Sequence, residues 1–140
     1  MKFSARTSWT GSTGLGWENY DRTHTARVSE QTVALTTAEE KGDPSLANPE
    51  LLLLAAASSC QMLWFLHLAA KARIYIVAYE DECEAEMPDD HFTRVVLRPR
   101  ITIEGDASKE RVLKLCDQAH RHCNVAKSLS CAVELEPQLV

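Results

Sequence analysis

The sequence predicts a single α+β domain, spanning residues 1–140, with elements in the order βββ-α-ββ-α-β. Three observations support this: a nearly uncharged helical segment after Asn48, alternating strand-like segments on both sides of it, and an amphipathic helix beginning at Ser108. The composition is 45% hydrophobic and 25% charged, which is typical of globular domains with a real core. We therefore expect both helices to pack on a mostly antiparallel sheet.

The first helix is predicted from its start signals and its composition. Asn48 is a good N-cap, Pro49 suits the first helical position, and Glu50 complements the positive end of the helix dipole. No Asp, Glu, Lys or Arg follows before Lys71. A helix that is apolar on almost every face must be buried on most of them. Because one sheet cannot cover such a helix, we expect the chain to self-associate.

Alternating patterns predict the strands. Before the helix they cover residues 2–9, 19–28 and 32–36, and Tyr20, Arg22 and His24 share one face of the second. After it they cover 74–84 and 92–104, joined by a turn at 87–90, and Pro99 predicts a bulge or an edge. The second helix ends near 121–123, before a last strand over 129–136. Its apolar face consists of Val112, Leu115, Cys116 and Ala119.

The charge and the cysteine content indicate which partners and which cellular compartment to expect. The net charge is −5 with no basic cluster, so we expect no nucleic-acid partner. Five cysteines, an odd number, in a chain without an apolar leader segment predict reduced thiols and a cytoplasmic location. The long helix is also long enough to span a membrane, but polar residues 58–61 and His67 at its centre favour a core helix, so no membrane association is expected.

The order and spacing of several motifs resemble the OsmC/Ohr family of osmotically inducible and organic-hydroperoxide-resistance proteins. The resemblance covers about residues 18 to 137. Its matching segments are Asn48-Pro49-Glu50, Ser58-Ser59-Cys60, Met62-Leu63-Trp64-Phe65-Leu66, Tyr79-Glu80-Asp81, Val96-Leu97-Arg98-Pro99 and Ala119-His120 with Cys123 three residues later.

The resemblance implies a thiol-dependent peroxidase acting on organic hydroperoxides or hydrogen peroxide, without a cofactor. Cys60 would be the peroxidatic thiol that becomes a sulfenic acid, and Cys123 would resolve it as a disulfide for reduction by a dithiol or lipoyl-type donor. A thiolate in an apolar helix needs a cation, because desolvation raises a thiol pKa. The string Tyr20-Asp21-Arg22-Thr23-His24 matches one branch of OsmC-like proteins, so Arg22 is the expected cation, with Arg27 and Lys41 in reserve.

Spacing along the helix indicates how Glu50 could take part. Glu50 precedes Cys60 by ten residues, or about 15 Å along a straight helix. It could therefore serve only the Cys60 of a second subunit, unless it is simply a dipole partner. Service to a second subunit fits what the resemblance implies, an intertwined homodimer in which the long central helix is buried. His24, Gln61 and Trp64 are the expected substrate-binding residues. Gln61 departs from the His that often follows this cysteine in the family.

Two alternatives remain open. Cys116, His120, His122 and Cys123 resemble zinc ligands, although adjacent residues 122 and 123 point apart and no metal is expected. A non-catalytic OsmC-like protein could instead bind a hydrophobic small molecule at the dimer interface, since the long helix is apolar. Cys83, Cys116 and Cys131 are expected to be passive core or strand residues.

Overall fold

A computed structural model describes residues 1–140, which form two compact units, Met1–Leu53 and Leu54–Val140. Helices and strands both occur along the chain, and one helix is much longer than the others, as predicted for this α+β protein. Their bounds are β1 Arg6–Ser8, β2 His24–Val28, β3 Gln31–Leu35, α1 Pro49–Lys71, β4 Tyr75–Asp81, β5 Glu84–Glu86, β6 Arg94–Leu97, β7 Pro99–Glu104, α2 Lys109–His122, α3 Asn124–Lys127, β8 Ala132–Leu135 and β9 Gln138–Leu139.

The first unit contains an antiparallel sheet in the order β1-β2-β3. Its first two strands are shorter than predicted, and β2 begins only at His24 because local side-chain bonds replace the sheet ladder over residues 19–23. The Asp21 carboxylate accepts a hydrogen bond of 2.8 Å from the Thr23 amide, and the Arg22 guanidinium donates one of 2.7 Å to the Tyr20 carbonyl. Such bonds compete with sheet pairing. The expected strand face of Tyr20, Arg22 and His24 is therefore wrong for the first two residues, which precede β2.

Helix α1 begins and ends as its sequence predicts. The Asn48 side chain accepts a hydrogen bond of 2.9 Å from the Leu51 amide, and Arg73 adopts a φ of +56° just beyond the last turn. In the part of α1 that belongs to the second unit, every fourth residue is buried. Residues four apart lie on the same side of a helix, so α1 packs against the core along one face. The buried residues are Ala57, Gln61, Phe65 and Ala69.

The second unit contains two three-stranded sheets, β4-β7-β9 and β5-β6-β8, instead of one. Each long strand predicted here breaks into two: the first is interrupted between Asp81 and Glu84, and the second at Arg98 beside Pro99. Proline has no amide proton, and the Arg98 amide donates to the Asp81 carboxylate at 2.7 Å instead of to a neighbouring strand. The last strands, β8 and β9, run parallel to β6 and β7. The short β9 was not predicted.

Helix α2 closes the core of the second unit. Its N-cap Ser108 accepts a hydrogen bond of 3.2 Å from the Arg111 amide, as the sequence predicts. The predicted apolar face is confirmed, because all four of its members are buried, and they pack with Phe65, Ile74 and Ile101. The face consists of Val112, Leu115, Cys116 and Ala119.

Candidate functional site

Cys60 and Cys123 are neighbours in the second unit. Cys60 lies halfway along α1 and is half-buried, whereas Cys123 lies between α2 and α3 and is 1% exposed. Burial raises the pKa of the Cys123 thiol above its ordinary value, and the Cys60 thiol raises it further by hydrogen bonding and electrostatic repulsion. Both thiols are free. The arrangement places a nearly inaccessible thiol beside a more accessible one.

Cys123 also begins a short helix that was not predicted. Its sulfur accepts a hydrogen bond of 3.4 Å from the Ala126 amide, so the thiol caps α3. This bond lowers the Cys123 pKa and partly offsets burial. Neither Cys60 nor Cys123 receives a hydrogen bond from a basic side chain of the second unit.

Gln61 is placed beneath Cys60, inside the core. Its side chain is 0% exposed, and its amide nitrogen donates a hydrogen bond of 3.1 Å to the Cys116 carbonyl oxygen, while its own Oε1 has no partner. The Tyr79 hydroxyl is buried and unpaired as well, and burial together with Asp81, Cys116 and Cys123 raises its pKa. Tyr79 belongs to a segment that matches the OsmC/Ohr family, but the sequence predicts no site role for it. Unpaired buried polar atoms carry a free-energy cost that often marks functional regions.

The first unit brings Arg22, His24 and Glu50 into one cleft of about 660 Å³. Arg22 and His24 lie just before and at the start of β2, and Glu50 lies in the first turn of α1. The cleft is also lined by aromatic and hydroxyl side chains, of which the sequence singled out only Tyr20. These are Trp9 and Tyr20, with Thr7, Ser8, Thr13, Thr36 and Thr37.

Arg22 is held in this cleft by its own neighbourhood. Its guanidinium donates to the carbonyls of Tyr20 and Trp17 at 2.7 and 2.6 Å, and stacks 3.7 Å from the Tyr20 ring centroid. His24 Nδ1 lies 2.8 Å from the Arg22 carbonyl oxygen. Arg22 forms no ion pair, and two backbone carbonyls hold its guanidinium instead. A guanidinium has five N–H donors, which leaves three for an anionic ligand.

The reserve cations lie outside the lining of this cleft. Lys41 stacks 5.5 Å from the Trp17 ring centroid, and Arg27 donates a hydrogen bond of 3.3 Å to the Ser29 carbonyl on the exposed side of β2. Arg22, and neither Arg27 nor Lys41, therefore lines the cleft together with His24 and Glu50.

Trp64 lies one turn beyond Cys60 on α1 and stacks on a residue of α2. Its ring is 5.0 Å from that of His122 with an interplanar angle of 22°, and it meets His67 edge-on at 5.8 Å. The zinc alternative finds no support here, because no three His, Cys, Asp or Glu side chains gather in a way that could hold a metal ion.

The fold and this site define an α+β protein whose long helix carries one thiol beside a second. A family model described as OsmC-like protein matches residues 42–138. The chain therefore belongs to the OsmC-like protein family, and the resemblance seen in the sequence is confirmed. Helix α1 is apolar and long enough to cross a membrane, as some core helices are, and it lies wholly inside the matched region.

Solved structures give the same result for the fold. An OsmC-like protein of unknown function from Vibrio cholerae is 26% identical, with a TM-score of 0.88 over 98% of this chain and 99% of that one. An organic hydroperoxide resistance protein OsmC from Legionella pneumophila is 17% identical, with a TM-score of 0.63 over 98% and 96%. OhrB of Bacillus subtilis, an organic hydroperoxide resistance protein, is 20% identical, with a TM-score of 0.63 over 99% and 98%. No curated protein matches the sequence.

Proposed function

We propose that this protein is a thiol-dependent peroxidase that reduces organic hydroperoxides or hydrogen peroxide. The observation that carries the proposal is the contact between the half-buried Cys60 and the buried Cys123, two free thiols from different helices. A reactive thiol with a resolving partner is the arrangement that disulfide-forming peroxide reduction requires. Two relatives of the same fold are named as organic hydroperoxide resistance proteins.

The reaction is balanced with two thiols and one peroxide. The Cys60 thiolate attacks one peroxide oxygen, the O–O bond breaks, and the products are Cys60 sulfenic acid and an alkoxide that takes up a proton. The Cys123 thiolate then attacks the Cys60 sulfur, which forms a disulfide and releases hydroxide, protonated to water. A dithiol or lipoyl-type donor reduces the disulfide and is itself oxidised to a disulfide. No cofactor is required.

Cys123 is well suited to act second. Burial raises its pKa and leaves it 1% exposed, whereas Cys60 is only half-buried, so Cys60 is the thiol that peroxide reaches first. The burial of Cys123 keeps peroxide away from it. Its bond to the Ala126 amide provides a donor that stabilises the thiolate when the proton is lost.

The activating cation is proposed to come from the cleft of a second copy of the chain. Neither Cys60 nor Cys123 has a basic hydrogen-bond donor in its own unit, whereas Arg22 retains free donors next to His24 and Glu50. The ten-residue spacing along α1 indicates that Glu50 serves the partner's thiol. In this homodimer Arg22 stabilises the thiolate and orients the peroxide, and His24 contacts substrate.

The remaining predicted residues support this site in different ways. Trp64, stacked on His122, provides an apolar wall one turn from Cys60 for the organic group of the peroxide. The sequence predicts that Gln61 binds substrate, but because its side chain is fully buried we assign it a different part, which is to fix α1 against α2 beside Cys60. Five free cysteines support a reducing, cytoplasmic location.

Peroxide consumption with dithiothreitol or dihydrolipoamide tests the proposal. Cys60→Ser is expected to abolish turnover, and Cys123→Ser to leave a sulfenic acid on Cys60 that dimedone traps. Cys83→Ser is the matched control, because it also removes a half-buried thiol and should leave turnover unchanged. Wild-type turnover in Cys60→Ser would disprove the assignment.

A second candidate is a non-catalytic protein that binds a hydrophobic molecule at the dimer interface. The observation that favours it is the exposed apolar surface of α1, where Leu51 and Leu63 are 52% and 61% exposed. The relative from Vibrio cholerae is described as an OsmC-like protein of unknown function. Absence of peroxide turnover, combined with saturable binding of an apolar fluorescent probe, would select this alternative.

A further inference from the structure

The unit Leu54–Val140 contains a cleft with a thiol, that of Cys131, in its wall. The cleft has a volume of about 290 Å³, near the lower end for small-molecule sites, roughly 300 Å³. Cys131, the residue before β8, is half-buried in its wall. The remaining lining residues come from α2, α3 and β8, and they are His120, Arg121, Ala126, Lys127 and Val133.

The charge of this cleft is opposite to that of the whole chain. The protein has a net charge of −5, but no acidic residue lines the cleft. Arg121 and Lys127 form no ion pair, and the one hydrogen bond from the Arg121 side chain is a weak one of 3.5 Å to the Asp117 carbonyl. His120 Nδ1 is buried without a partner, and Arg121 and Lys127 are the two cationic side chains of the lining. Two unpaired cations beside a thiol favour an anionic ligand.

Cys83 provides an internal comparison in an opposite environment. It is also half-buried, but its cleft is lined by three glutamates, Glu82, Glu84 and Glu136, and two arginines, Arg98 and Arg100, so the lining is net acidic. Arg98, in the same cleft, is already paired with Glu84 at 2.7 Å and with Glu136 at 2.9 Å. The two thiols therefore have similar access and contrasting neighbours.

We propose that the Cys131 cleft binds anionic low-molecular-weight thiols and disulfides and is a site of reversible S-thiolation. The carboxylates of the ligand pair with Arg121 and Lys127, which brings its sulfur to Cys131. The Cys131 thiolate attacks one sulfur of the small disulfide, whose S–S bond breaks. A mixed disulfide forms on Cys131, and the departing thiolate takes up the proton that Cys131 lost.

The test compares two disulfides of opposite charge on the full chain at low salt. Oxidised glutathione is the anionic probe and cystamine the cationic one, and adducts are quantified by intact mass and peptide mapping. For each thiol, the rate of adduct formation with oxidised glutathione is divided by the rate with cystamine. This ratio should be roughly three- to tenfold larger at Cys131 than at Cys83. High salt should reduce the difference between the two ratios, because the charges of Arg121 and Lys127 are exposed to solvent and therefore screened.

Charge-removing variants separate the cleft from general reactivity. Arg121→Gln with Lys127→Gln should abolish the preference at Cys131, whereas Lys114→Gln, an exposed change elsewhere on α2, should leave it unchanged. Equal rate ratios at Cys131 and Cys83, or a preference that survives in the double variant, would overturn the proposal. Circular dichroism of each variant checks that it is folded. Cys60→Ser should leave the Cys131 adduct unchanged, so this result is independent of the peroxidase proposal.

Discussion

The Gln61 side chain joins the two principal helices: its amide nitrogen donates a hydrogen bond of 3.1 Å to the Cys116 carbonyl oxygen. The residue directly after Cys60 on α1 is thereby tied to α2, seven residues before Cys123. The Gln61 side chain is completely buried, and its Oε1 atom has no partner. The position therefore accepts an apolar replacement better than a charged one.

Two substitutions at Gln61 test this interpretation. Gln61→Met keeps the volume and removes the unpaired oxygen, so the free energy of unfolding should change by less than about 1.5 kcal/mol. Gln61→Glu places a carboxylate where no donor is available and should cost about 3 kcal/mol or more at pH 8. Urea unfolding measures both. Equal stability of the two variants would contradict the assigned burial.

The influence of Cys60 on Cys123 predicts a change in thiol titration. Burial raises the Cys123 pKa most, and the Cys60 thiol raises it further. In Cys60→Ser the Cys123 pKa should therefore fall while remaining above the ordinary thiol value. The pH dependence of iodoacetamide alkylation, followed by peptide mass spectrometry, measures the shift. Cys116, whose pKa burial raises to about 12, is the control and should not move.

Ser58 and Asp81 form a polar link between α1 and β4. The Ser58 hydroxyl donates a hydrogen bond of 2.5 Å to the Asp81 carboxylate, which also accepts one from the Arg98 amide. Ser58→Ala should lower the free energy of unfolding by about 1.5–3 kcal/mol, because the bond involves a charged acceptor. Ser59→Ala, at an exposed neighbouring position, should cost less than about 0.5 kcal/mol. Urea unfolding distinguishes them, and equal losses would contradict the prediction.

The same pair also controls the Cys83 thiol. Burial raises the Cys83 pKa, Asp81 raises it further, and a hydrogen bond with Ser58 lowers it. Asp81→Asn should therefore lower the Cys83 pKa, and Ser58→Ala should raise it. Alkylation rates of Cys83 between pH 7 and 10.5 in each variant report the inflection point. Shifts of the same sign in both variants would be inconsistent with this cluster.

The exposed face of α1 predicts the oligomeric state. Leu63 is 61% exposed although it lies on the most apolar helix of the chain. Two copies of the 15.6 kDa chain should associate in solution, and Leu63→Glu should shift the equilibrium toward monomer, because a carboxylate would be desolvated in the interface. Met87→Glu, an exposed apolar position in a turn, is the control. Sedimentation velocity measures the oligomeric state of the wild type, Leu63→Glu and Met87→Glu. A monomeric wild type would exclude the dimer.

Much of the fold could be predicted from local sequence signals. Asn48, Pro49 and Ser108 set the helix starts because capping depends on a few adjacent residues, and the buried face of α2 follows from helical periodicity. The interruption near Pro99 was also predictable. Its consequence, division into two sheets, was not, because it depends on the bond between the Arg98 amide and Asp81, distant in sequence.

The sequence by itself determined the α+β class, the long helix, the OsmC-like family and the identity of the two thiols, since these depend on composition, periodicity and motif order. Only the tertiary structure decided that Cys60 and Cys123 adjoin, that Gln61 faces the core, and that Arg22, His24 and Glu50 line one cleft. It alone distinguished the basic surroundings of Cys131 from the acidic ones of Cys83. The physical reason is that the pKa, access and partners of a side chain depend on groups brought near by folding, which spacing along the chain does not specify.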